Sequence, residues 1–223
     1  IMVREKRWLN GLAFSLLLMT MQSVFAGDPA SVADFKNSGR CVQCDLRYES
    51  FAGSDFVRAD LTGAYLFGAD FKNCLLVSAG LESAILINAK LQYADLSHAN
   101  MAKASLQDAN LRGATMLGAN LTFANLSGAA MEAAELSDAN LTTASLEGAI
   151  MQNVFAIETR FRSADMRRAD LRSAKLKGAD MEGVNLSGAR MEGAIMDNAH
   201  LRGATLIATD LSGASLKYAN LRQ

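Results

Sequence analysis

The chain has 223 residues, a formal net charge of −1 and 50% hydrophobic residues, yet one proline and only 7% aromatic residues. That length allows one sizeable domain with its own core. The near-neutral charge removes the electrostatic reason to expect a nucleic-acid partner, and the dominance of Ala and Leu points to a repetitive architecture.

At the N-terminus, Arg4, Lys6 and Arg7 precede an apolar run from Trp8 to Met21, and Val24-Phe25-Ala26 places a small-x-small sequence ahead of Gly27. This is the layout of a secretory signal peptide over residues 1–26. The competing reading, an uncleaved membrane anchor, needs about 18–20 unbroken apolar residues. Asn10, Gly11, Ser15, Thr20 and Gln22 interrupt this run, and no cysteine stands where a lipoprotein would be processed. Loss of 1–26 leaves 19 basic against 22 acidic side chains, a charge of −3. The expectation is a periplasmic or secreted protein, with no membrane contact after cleavage and no nucleic-acid partner.

Residues 27–44 read as a cap. Asp28-Pro29 supplies an N-cap acceptor and a first-turn proline, and Gly39 a stop, so a short helix is expected over 28–38. Cys41-Val42-Gln43-Cys44 follows. By spacing alone it fits a local disulfide or half of a zinc site. The zinc reading lacks partners: Cys74 falls on a different side of the repeat described next, and His98 and His200 lie far along it.

From Leu46 to Leu221 every fifth residue is Leu, Phe or Met, with Ala156 the one exception. Two places before each stands Ala, from Ala59 to Ala219, replaced only by Cys74, Val154, Thr159, Val184 and Thr209. On an α-helix a step of five turns about 500°, which scatters the large residues about 140° apart and makes no stripe. Within a unit the small and large residues are two apart, the spacing that puts both on one face of a strand. The phase then resets, so the chain must turn a corner in each unit. Gly113, Gly118, Gly128, Gly148, Gly178, Gly188 and Gly203 stand where such a corner tolerates positive φ. Corners turned always the same way close a coil that stacks on itself.

The units Ala94-Asp95-Leu96-Ser97-His98 and Ala139-Asn140-Leu141-Thr142-Thr143 have the form A-[DN]-L-x-x. Over 45–223 the chain resembles the pentapeptide-repeat proteins. That resemblance implies an all-β, right-handed quadrilateral β-helix with four units per coil. About nine coils at ~4.8 Å each would make a rod about 43 Å long. Large residues would fill the axis, with Phe51 under Phe71 and Phe56 beside them. The C-x-x-C-D-L leader is similar to that of exported members of the family, which implies a Cys41–Cys44 disulfide fastening the cap to the tube.

Nothing in the sequence supplies a nucleophile with a base, a metal-spaced cluster or a phosphate loop, so no enzyme activity, cofactor or metal is expected. The N-x-[ST] matches at Asn120, Asn125, Asn140 and Asn185 follow from the repeat itself. Arg160, Arg162, Arg167, Arg168, Arg172, Lys175 and Lys177 form a basic cluster, but on a 20-residue coil they circle the tube, diluted by Glu158, Asp165 and Asp170.

Two outward features suggest protein contact. Tyr65 and Phe67 stack beneath Ile85 and Ile87 as an apolar block. At Val154-Phe155-Ala156-Ile157-Glu158 the axial residue is small, with Phe155 and Ile157 outside it, as a bulge, a recognition knob or a tolerated defect. A third feature is the end coil, where no cap is apparent and Leu206, Leu211, Leu216 and Leu221 form a candidate homodimer surface. The expected function is a non-enzymatic exported scaffold or protein-binding rod with an unknown partner. The alternative is a DNA-mimicking topoisomerase-binding protein, which asks for a strongly acidic face and no signal peptide.

Overall fold

A computed structural model of the protein describes residues 26–222. The leader expected over 1–26 therefore lies outside the described residues, apart from Ala26. The first element is helix α1, Pro29–Ser38. Asp28 caps it, its carboxylate accepting from the Ser31 N–H at 2.9 Å, and Gly39 ends it with φ 66° while donating to the Phe35 carbonyl at 2.8 Å. The Ser31 hydroxyl also donates to this carboxylate, at 2.8 Å, and that bond, with the one from the N–H, holds the Asp28 carboxyl below the usual carboxylate range.

After α1 the chain repeats a five-residue unit whose fifth residues bridge in parallel to residues 20 places on. One such column runs Arg40, Asp60, Gly80, Asn100, Asn120, Asn140, Arg160, Asp180, His200 and Asn220. Three further columns, starting at Asp45, Ser50 and Asp55, keep the same step. Four columns per 20 residues are a four-sided coil.

The unit Leu61–Tyr65 shows how the backbone is satisfied. Leu61 N–H donates to Gly80 O at 2.7 Å, Gly63 N–H to Glu82 O at 2.8 Å, and Tyr65 N–H back to Cys44 O at 2.8 Å. Ala64 N–H closes a turn onto Leu61 O at 3.0 Å. The fifth donor, Thr62 N–H, goes to Asp60 Oδ1 at 3.2 Å. The same side-chain acceptor recurs from Asn120 to Thr122 and from Asn140 to Thr142. A short side chain carrying an oxygen is needed there to reach the N–H two residues on, which is why Asp and Asn precede the large residue so often.

The expectation of strands needs correction, because among the described residues the ladder consists of isolated bridges. Each bridge is followed within three residues by a left-handed residue, which turns the chain before a second ladder position can form. The corners also exceed the glycines that marked them. Every residue at this corner position has positive φ, including Tyr93 and Phe123 at 58° and Arg58 at 60°. The residue before each corner does not, so the turn has the type II sign pattern. Glycine has a separate use at Gly113, where a Cβ would meet the Tyr93 ring at 2.6 Å: the ring of one coil lies over the bare corner of the next.

The inward positions form one continuous core. Leu111, Leu121, Leu136 and Phe161 are fully buried, as are the small residues between them. Phe35 of α1 stacks on Phe56 at 4.3 Å and meets Phe51 edge-on at 5.2 Å, and Phe51 stacks on Phe71 at 5.1 Å. The helix thus covers one end of the core with a ring cluster. Cys41 and Cys44 form a disulfide, with Cα atoms 5.4 Å apart, at the junction of cap and coil. Cys74 is buried, and its thiol donates to the Phe51 carbonyl at 2.9 Å; burial pushes its pKa up.

Thr159 and Thr209 use the same geometry as Cys74, each hydroxyl donating at 2.8 Å to the carbonyl 23 residues back. That carbonyl already accepts the turn N–H of its own unit, so its second lone pair accommodates a polar residue in a small position. At 154–158 the register is unbroken, Phe155 bridging Glu135 and Lys175, and Ala156 is buried. The segment is no bulge.

Three measurements check this packing. Leu111→Lys places an unpaired charge on the axis and should abolish cooperative folding, while Arg112→Glu, exposed, should change stability by less than about 0.5 kcal/mol in denaturant titrations. Asn120→Ala, which leaves the Thr122 N–H without its acceptor, should cost about 1–2 kcal/mol, and equal stability would refute the side-chain role. Alkylation followed by mass spectrometry should modify Cys74 only after unfolding and Cys41 and Cys44 only after reduction; a bridge involving Cys74 would overturn the cap arrangement.

Candidate functional site

Because the register is fixed at 20 residues, outward side chains fall into columns, and each column can be inspected for chemistry. Among the described residues no group of three His, Cys, Asp or Glu is placed to hold a metal ion, and no helix is long and apolar enough to cross a membrane.

The basic cluster is largely neutralised by carboxylates stacked on it. Arg167 meets Asp165 at 2.6 Å and Glu147 at 3.1 Å, Arg168 also reaches Glu147, and Arg172 meets Asp170 at 2.6 Å. Arg162 reaches Asp180 at 3.0 Å and shares Glu182 with Arg202. Hydrogen bonds from Arg167 and Arg172 hold the Asp165 and Asp170 carboxyls below the usual range, and those from Arg202 and Arg162 do so for Glu182. Arg160, Lys175 and Lys177 carry no ion pair among the described residues.

The apolar block is only partly as expected. Tyr65 is exposed and bridges Ile85, but Phe67, Ile85 and Ile87 are half-buried, and the Tyr48 ring stands 5.3 Å from that of Phe67. The block is therefore less exposed than expected: three of its four members are half-buried, and the Tyr48 ring stands against Phe67. In the end coil, Leu206, Leu211 and Leu216 are half-buried and Leu221 is exposed.

Phe155 and Ile157 are exposed, at 44% and 40%, and they belong to a larger arrangement. The column Asp55, Leu75, Asp95, Thr115, Glu135, Phe155, Lys175, Ile195 and Ser215 runs up one side of the tube. Two residues beyond those from Asp55 to Lys175, on the same side, come Val57, Val77, Ser97, Leu117, Ser137, Ile157 and Lys177. Val57, Leu75 and Leu117 are exposed like Phe155 and Ile157, and Val77 is half-buried. Val57 and Leu75/Val77 lie on neighbouring coils, and from Leu75 onward the apolar residues occupy alternate coils, as rungs at Leu75/Val77, Leu117 and Phe155/Ile157, followed by the half-buried Ile195.

Between the rungs stand carboxylates. Asp95 accepts from the Ser97 N–H at 3.0 Å and hydroxyl at 2.6 Å, and Glu135 from those of Ser137 at 3.0 and 2.5 Å. Asp138 and Glu158 sit at the adjoining corner with positive φ. None of Asp55, Asp95, Glu135, Asp138 and Glu158 has an ion-pair partner among the described residues, in contrast to the carboxylates beside the arginines. Sequence reasoning picked out Phe155 and Ile157 and missed Val57, Leu75, Val77, Leu117 and the acids. The signal was available, since the same 20-residue step aligns them.

Comparison with solved structures finds HetL, a pentapeptide repeat protein involved in heterocyst differentiation regulation from the cyanobacterium Nostoc sp. strain PCC 7120. It is 31% identical, with a TM-score of 0.53, over 82% of this chain and 81% of that one. Rfr23, a pentapeptide repeat protein from the cyanobacterium Cyanothece 51142, is 35% identical over 41% of this chain and 63% of its own, with a TM-score of 0.41. QnrB1, a plasmid-mediated fluoroquinolone resistance protein, is 18% identical over 78% of this chain and 89% of its own, with a TM-score of 0.39. Comparison with curated proteins finds no match. The family described as Pentapeptide repeats (8 copies) matches residues 40–73, 79–118, 116–153, 149–188 and 185–223. The repeat, the 20-residue bridge register and this match together make the chain a member of the pentapeptide-repeat family.

Proposed function

We propose that the protein is a non-enzymatic, exported protein-binding rod: a right-handed four-sided tube of about nine coils that presents the face of Leu75, Leu117, Phe155 and Ile157 to a protein partner. The observation that carries this reading is the collection of exposed apolar side chains, with carboxylates between them, on one side of the tube. Exposed apolar side chains collected on one side favour contact with another macromolecule.

Export is supported by the basic-then-apolar pattern of Arg4 to Met21, by Val24-Phe25-Ala26, and by a disulfide, which suits an oxidising compartment. The topoisomerase-binding alternative asks for a continuous acidic surface. Here acids alternate with apolar rungs on one face and are matched by arginines elsewhere.

Site-specific photo-crosslinking in the native host tests the reading. A crosslinker at Leu117 should give a discrete protein adduct, and one at Thr142, on a different side, should not. Adducts from neither position, or equally from both, would overturn the assigned face. In the same cells, fractionation with N-terminal sequencing should find a chain beginning at Gly27 outside the cytoplasm. A longer cytoplasmic chain would overturn export.

A further inference from the structure

Resting on the proposed contact face, the geometry points to the partner's form: we infer that the face receives a basic amphipathic α-helix lying along the tube axis, with apolar residues seven apart and lysine or arginine between them.

Spacing favours a helix. The rungs at Leu75, Leu117 and Phe155 fall on alternate coils, so they repeat at about 9.6 Å, two ladder spacings. A helix returns a residue to the same side every seven positions, a rise of about 10.5 Å. Over the two steps from Leu75 to Phe155 the mismatch accumulates to only about 2 Å, within the reach of side chains, and a segment of about 15 residues spans all three rungs. An extended segment repeats on one side at about 6.7 Å and falls out of phase at the second rung.

Charge fixes the sign of the partner. Asp95 lies between the first and second rungs, Glu135 and Asp138 between the second and third, and each lacks an ion pair among the described residues. A purely apolar partner would strip water from these carboxylates without replacing it, which is costly. Cations placed between the apolar positions of the helix would meet them. Lys175 and Lys177, on the coil after Phe155 and Ile157, mark where a basic helix should end or turn acidic, short of Ile195 on the following coil.

A second copy of the chain fits poorly. A two-fold axis through Leu117 would set Leu75 against Phe155, but it would also set Asp95 against Glu135, a like-charge juxtaposition at the centre of the interface.

The test uses the full mature chain and three fluorescent 18-residue peptides, read by anisotropy at low salt. The first is lactam-stapled as a helix, with Leu at positions 2, 9 and 16 and Lys at 5, 6, 12 and 13. The second replaces the Lys residues by Glu, and the third has the first peptide's composition with two central prolines in place of the staple. The first should bind at least tenfold more tightly than either control. Leu117→Glu should weaken it at least tenfold and Glu135→Lys at least threefold, while Ile207→Glu on another side should leave it unchanged. Circular dichroism of each variant separates lost binding from lost fold, and Glu135→Lys, at a half-buried position whose carboxylate accepts from Ser137, carries the test if Leu117→Glu is unstable. Equal binding of the acidic or proline peptide, no binding of the first, or indifference to Glu135→Lys would overturn the inference. So would a concentration-dependent dimer by light scattering that Glu135→Lys alters. A Leu117 crosslink in cells that persists after failure of the peptide would leave the contact face standing and remove only its helical partner.

Discussion

The structure depends on one residue in five adopting a left-handed conformation. That residue ends each side of the coil and aims the chain at the next, so four units return it to the starting column. Glycine accepts this conformation freely, but most corners here are not glycine; Tyr93, Phe123 and Arg58 are held in it. Such a residue carries a local penalty of about 1–2 kcal/mol, and it persists only where the surroundings over-determine it. The surroundings here are the bonds of the corner itself, as at Gly63, whose N–H pairs with the next coil while the neighbouring Ala64 N–H closes the turn. Ladder and corner require each other, which is why the unit cannot form singly and the repeat must stack.

From that constraint follows a separation of duties along the sequence. The large and small inward residues hold the coil by burial, and an Asp or Asn that precedes a large residue holds it by bonding the N–H two places on; Asp95 makes that bond while its charge still faces outward, and Leu75 stands in the same place without one. The remaining outward positions bear little of the fold's stability, so they can carry recognition. Thr159 and Thr209 show that even an inward position tolerates a hydroxyl where a carbonyl has a lone pair to spare.

The period and the inward and outward assignment were legible because they are written in side-chain size, which a sequence displays directly. The helix over Pro29–Ser38 was legible for the same reason, its cap and stop being residue types. The left-handed corners at Tyr93 or Phe123 were not, since a backbone angle enforced by stacking leaves no trace in composition. The partial burial of Phe67 in the block at Tyr65, Phe67, Ile85 and Ile87 was not legible, because Tyr48 stands at a corner and the reach of a corner side chain over the next coil appears only in three dimensions. The face from Leu75 to Phe155 needed residues 20, 40 and 80 places apart to be compared at once, a comparison that local apolar clustering does not prompt.

In a tube of fixed register, opposite charges can always be paired by setting them 20 residues apart, as the chain does at Glu147 with Arg167 and at Glu182 with Arg202. The lack of such pairing around Asp95, Glu135 and Asp138 is therefore a matter of composition and not of geometry. Solvent stabilises these carboxylates in the free protein, and any partner that covers the apolar rungs must displace that solvent. A partner with cations in register recovers the loss, and one without them does not, so the acids act less to strengthen binding than to exclude apolar surfaces that lack the matching charge. The same acids limit self-association of an exposed hydrophobic face, since a second copy would set carboxylate against carboxylate.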